Sequence, residues 1–119
     1  MAADTITVRG LQYRVVVRCV GGVGYRLAVA HSWRQRMRGL AGTSLATWSN
    51  IDGMLFIFPF AWRWPLWMRG MQFPITLQWL RADVPIGSLH QMTPAHPWHC
   101  DRPLHPADAV IEYLPGHFV

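Results

Sequence analysis

A chain of 119 residues is sized for a single domain spanning residues 1–119, and at this length roughly two-thirds of the unfolded surface can be buried. Its residues are 51% hydrophobic and only 14% charged, against roughly 25% charged in an average soluble domain. Disorder is therefore excluded, because there is apolar area enough to offset the ordering entropy. The formal charge of +5 comes from eleven Arg and no Lys against five Asp and one Glu, yet only Arg34, Arg36 and Arg38 cluster, so a nucleic-acid footprint is not expected.

The first residues, MAADTITVRGLQYRVVV, lack the basic start and continuous apolar stretch of a secretory signal. Tyr13 to Val20 is a β-branched run, Gly21 to Gly24 a turn, and Tyr25 to Ala30 a second strand, which together make a hairpin. GGVG is not a phosphate loop: it lacks the GxxxxGK[ST] pattern and no helix signal follows directly. Ser32 with Gln35 fits a capping box opening a helix over about 32–40. Trp33, Met37 and Leu40 recur at helical spacing and are expected to face the core, with Gly39 near the stop.

From Asp52 to Leu80 the chain concentrates aromatic bulk, with Trp62, Trp64, Trp67 and Trp79 and no acid after Asp52. Gly53 to Phe58 reads as a central apolar strand, Phe60 to Pro65 as a loop and Leu66 to Arg69 as a short strand. Ile75 to Leu80 alternates, with Ile75, Leu77 and Trp79 on one side. Arg81 to Asp83 turns into Val84 to Met92, where Pro85 predicts an edge position or the strand's first residue. Thr93 to Pro106 is a Pro- and His-rich loop, and Ala109 to Leu114 the last strand. Many short strands with one short helix predict a mainly-β, single-domain sandwich or barrel.

The order of several of these segments resembles domain-of-unknown-function family 192 over residues 25 to 118. RQRMRGL (Arg34 to Leu40) looks like its E-R-x-x-G-L helix, and DGMLFIF (Asp52 to Phe58) is similar to its G-M-L-F-x-F strand. Leu66 to Arg69 resembles F-W-M-K, Phe73-Pro74-Ile75 resembles I-P-L, and Val110 to Tyr113 with Gly116 resembles V-L-E-L-x-x-G. The resemblance implies a compact jelly-roll-like β-sandwich with one small helix and no established activity. Where relatives continue W-M-K with Asn-Thr, this chain has Gly70 and Met71, and where they place Asp after I-P-L it has Thr76. Relatives also tend to run on past the final Gly, so an open sheet edge that a partner strand could fill is expected near the chain's end.

No catalytic motif emerges. His90, His96, His99, Cys100 and His105 fall within sixteen residues, but their spacing matches no C-x₂-C or H-x₃-H pairing, so no metal and no cofactor is expected. Cys100 beside His99 is not a nucleophile pair on spacing alone. Glu112 is expected to be a buried carboxylate paired with Arg69 or Arg38. Cys19 and Cys100 are expected to be free thiols, with pairing left open.

The leading expectation is a non-enzymatic module that binds a protein partner as an accessory subunit, through Trp62, Arg63, Trp64, Trp67 and Arg69, since Trp and Arg concentrate binding energy at interfaces. The alternative is a small-molecule-binding or hydrolytic domain with a pocket near Trp67 and Arg69, involving Arg38, Met54, Met68 and Glu112. A third reading lays the 60–67 loop on a membrane surface. With no run near the roughly 18 apolar residues that span a bilayer, the sequence points to a cytoplasmic protein.

Overall fold

A computed structural model describes residues 4–116. In chain order it contains β1 (Thr5–Val8), β2 (Leu11–Val20), β3 (Val23–Ala30), α1 (Trp33–Arg38), a 3₁₀ turn (Leu45–Trp48), β4 (Gly53–Trp62) and β5 (Leu66–Trp67). β6 (Ile75–Arg81), β7 (Val84–Met92), β8 (Cys100–Asp101) and β9 (Ala107–Tyr113) follow. Seven strands form one mixed sheet in the order β1-β2-β3-β4-β9-β6-β7, and β5 pairs with β8 in a second, two-stranded sheet. The fold is mainly β and broadly sandwich-like, and the large sheet is not closed into a barrel. The jelly-roll subtype implied by the resemblance is finer than this pairing supports, because β3 and β4 run parallel whereas Greek keys are antiparallel.

Side-chain alternation divides the core between the two faces of the large sheet. On one face Ala28, Met54, Phe56, Leu77, Trp79 and Val110 pack together beneath Trp48 and Leu40. On the other, Leu27, Val29, Leu55, Ile111, Tyr113 and Leu80 form a second cluster. Ile75, Leu77 and Trp79 share the first face, as the alternation predicts. Three hairpins have two-residue turns: Arg9 and Gly10, with φ of 50° and 80°, Gly21 and Gly22, with φ of 59° and 81°, and Ala82 and Asp83, with φ of 49° and 67°. Positive φ at both central residues matches the twist of the flanking strands.

Several expectations change. β1 is an additional strand, paired antiparallel to β2 around Arg9 and Gly10. The 60–65 loop begins later than expected, since β4 runs to Trp62. Between Ile57 and Trp62, β4 advances five residues where β9 advances two, from Ala109 to Ala107. Pro59, which has no N–H to give a ladder, sits inside this bulge. Pro85 does lie on an edge strand, β7. β9, by contrast, lies between β4 and β6. The last strand is therefore not itself an edge, and the sheet's described edges are β1 and β7.

Helix α1 has its expected capping box: Ser32 Oγ accepts from Gln35 N, and Gln35 Oε1 accepts from Ser32 N. Its buried face is nevertheless not the apolar one. Trp33 is 68% and Met37 67% exposed, while Gln35 is buried. Gln35 Oε1 also accepts from His31 N at 2.9 Å, and Nε2 donates to Gln12 O at 2.8 Å on β2. A six-residue helix carries too few side chains to bury a stripe; one polar side chain with three backbone partners orients it instead.

Candidate functional site

Glu112 occupies the middle of the sheet. On β9 it lies opposite Met54 of β4 and Leu77 of β6, both fully buried. Val110 and Leu114, two residues to either side, belong to the apolar cluster on the same face. An ionisable side chain has no packing reason to sit there. It is 6% exposed. Gly53 makes the local geometry possible, because a Cβ at that position would lie 2.4 Å from the Glu112 carbonyl oxygen.

The expected ion pair with Arg69 or Arg38 does not form. Among the described residues no ion pair or hydrogen bond from the protein reaches the Glu112 carboxyl, and no side-chain oxygen is both sealed from solvent and unpartnered, so the carboxyl meets the outside through the cleft. Burial alone pushes the Glu112 carboxyl up from the ordinary 4.5 to about 8. It is thus protonated at neutral pH. The Arg69 guanidinium lies instead 5.6 Å from the Trp98 ring centroid, and Arg38 is exposed at the end of α1.

Glu112 opens instead into a cleft of about 620 Å³ between α1 and residues 64–69, within the range of small-molecule sites. Phe56, Phe58 and Trp64 line it from inside, and Trp33, Trp67 and Trp98 stand exposed around it. Phe58 and Trp64 are stacked, with centroids 4.8 Å apart and planes 10° apart. Trp64 Nε1 donates to Phe60 O at 2.9 Å, which fixes the ring within the β4 bulge. Gly39 ends α1 with φ of 48°, and a Cβ there would come 3.1 Å from Phe56, so the helix end closes directly on the aromatic wall. Arg36, Arg38 and Arg69 supply the charge. Arg36 is also a strut: its Nη1 donates to His31 O and, at 3.2 Å, to Ile57 O, tying α1 to β4.

Of the residues singled out from the sequence, the cleft brings together Arg38, Trp64, Trp67, Arg69 and Glu112. Met54 and Met68 are fully buried beneath it and do not line it. Trp62 is 58% exposed and lies outside it, while Arg63 donates from Nε to Pro103 O at 2.8 Å. Sequence reasoning missed Trp33, assigned to the core, and Trp98, absorbed into a surface loop. An indole at the N-terminus of a two-turn helix was the available signal for the first. Gly70, Met71 and Thr76, where the chain departs from its family's pattern, do not line the cleft; Thr76 borders a separate recess of about 390 Å³ with Gln91 and Thr93.

The histidine-rich segment is structural where its contacts are defined. His90 Nδ1 bonds the Asp101 carboxylate at 2.8 Å, and Trp79 Nε1 donates to the same group at 2.8 Å, which anchors β8 to the large sheet. Among the described residues no group of three or more His, Cys, Asp or Glu could hold a metal ion. Cys19 and Cys100 are exposed and free. No described helix is long and apolar enough to cross a membrane.

A model of the uncharacterized ACR family DUF192 matches residues 16–119. Among solved structures, a protein of unknown function from Novosphingobium aromaticivorans DSM 12444 is similar, with a TM-score of 0.75 and 21% identity over 98% of this chain and 83% of that one. A protein from Sinorhizobium meliloti 1021 described as a candidate transcription regulator is similar with a TM-score of 0.65 and 21% identity, over 98% of this chain and 84% of that one. At this identity the likeness concerns the fold. No curated protein matches the chain.

Proposed function

The chain belongs to the DUF192 family, for which no activity is defined, and from its own geometry we propose that it is a non-enzymatic domain that binds a small organic anion with a flat apolar body. One observation carries this reading: a buried, unpaired carboxyl at the base of a cleft walled by aromatic rings and edged by three arginines. Aromatic walls favour a planar body, and guanidinium groups favour carboxylate or phosphate. With Glu112 protonated the cleft is net positive, so an anion is the complementary charge. Among the described residues that line the cleft, none besides Glu112 is a nucleophile or an acid, so binding is a better reading than hydrolysis.

Isothermal titration with 2-naphthoate, and with neutral 2-naphthalenemethanol as its control, tests this. The acid is expected to bind saturably and more tightly than the alcohol. Arg69→Ala should weaken it about tenfold, the size of a lost charge-assisted hydrogen bond. No saturable heat, or equal binding by the alcohol and by Arg69→Ala, removes the reading.

The protein-partner reading is kept as second, favoured by Trp62 and Phe60, each 58% exposed outside the cleft. A separate experiment tests it, size-exclusion with light scattering, in which a well-behaved monomer counts against an accessory subunit.

A further inference from the structure

We infer that Glu112 is the specificity-determining group of this cleft, acting as a hydrogen-bond donor that selects anionic ligands carrying an acceptor, such as a carbonyl or ether oxygen, at the end opposite their charge. The inference rests on the anion-binding reading and refines it. The charged groups facing the cleft are Arg36 and Arg38 from α1, Arg69 from the segment after β5, and Glu112 from β9. They are sorted by depth: Glu112 is buried in the sheet, whereas Arg38 and Arg69 are exposed. Arg36 already spends Nη1 on two carbonyls, which holds it beside β4 and leaves its remaining N–H groups for a ligand.

A ligand that places its anion among the guanidiniums and its apolar body between the rings must present its far end to the carboxyl. With no partner from the protein and its face open to the cleft, that carboxyl can meet the far end in two ways. Protonated, it donates to an acceptor; ionised, it needs a cation. Burial holds the proton on to about pH 8, and three arginines around the cleft disfavour a cationic guest by like-charge repulsion. The donor role is the one that costs neither ionisation nor repulsion. A carboxylic acid kept neutral by an apolar site can serve as a hydrogen-bond donor at neutral pH, as in some active sites.

Three para-substituted benzoates of similar shape separate these roles: 4-acetylbenzoate, with an acceptor, 4-isopropylbenzoate, with an apolar group, and 4-(trimethylammonio)benzoate, with a cation. Titrated below the Glu112 value of about 8, where the carboxyl keeps its proton, the acetyl compound is expected to bind about fivefold to tenfold more tightly than the isopropyl one. Glu112→Gln, whose amide still donates, should keep that preference, and Glu112→Leu should erase it while still binding the isopropyl compound. The preference should shrink as pH rises through about 8 in the native chain and stay level in Glu112→Gln. Tightest binding by the trimethylammonium compound, or an acetyl preference that survives in Glu112→Leu, overturns the inference and leaves the anion site standing. Failure of all three benzoates to bind overturns both.

Discussion

At the scale of single residues the decisive group is one carboxyl. Glu112 is neutral in the folded chain and ionises at the ordinary 4.5 when unfolded, against about 8 when folded. The unfolded state therefore binds fewer protons throughout that interval. Its contribution to stability is full below the ordinary value, falls as pH rises, and levels off above about 8. The steepest slope for one such group is about 1.4 kcal/mol per pH unit. Glu112→Gln should remove this decline, so that wild type and variant differ more at pH 8 than at pH 5 when unfolded by urea. Parallel stability profiles would place the carboxyl in water. The residue was conspicuous in the sequence as the lone Glu in an apolar strand. Its lack of a partner was not, because an Arg at position 38 or 69 is compatible with either a pair or a gap. Only the placement of Arg69 over Trp98 decides between them.

Helix α1 is the element on which the cleft depends, and its sequence was half legible. The Ser32–Gln35 box set the N-terminus correctly, since it uses local backbone donors that any fold must satisfy. The periodicity of Trp33 and Met37 misled because a long apolar face is what buries a helix, and this one is six residues long. Gln35 holds it by three hydrogen bonds to the backbone at His31, Ser32 and Gln12. Gln35→Ala should lower stability by about 1–3 kcal/mol, leaving those groups without their partner, and should also weaken 2-naphthoate binding by releasing one wall of the cleft. Loss of stability with unchanged affinity would show that α1 is not part of the site. The bulge in β4 was hidden for a different reason. Pro59 signals a broken ladder, but the number of residues absorbed depends on Ala107 to Ala109 of β9, far along the chain and joined to it by no local turn or motif, and is visible only in the register.

Across the whole molecule, the class and the family order were readable because alternation and turn chemistry are local. The sheet order was not: β3 and β4 pair in parallel, and β9 inserts between β4 and β6, choices that no segment announces by itself. That insertion puts Glu112 at the centre of the protein, under α1 and beside the β4 bulge, and so assembles the cleft from distant parts of the chain. It also explains why exposed indoles arise at Trp33, Trp67 and Trp98 together: they stand around one opening rather than along one loop. Because the chain contains a single Glu, labelling with glutamate bearing ¹³C at the carboxyl yields one resonance, free of assignment. Its NMR titration should show a midpoint near 8, with the neutral acid present at pH 7 and its signal shifted by 4-acetylbenzoate. A midpoint near the ordinary 4.5, indifferent to the ligand, would contradict a buried carboxyl without a protein partner at the base of a binding cleft.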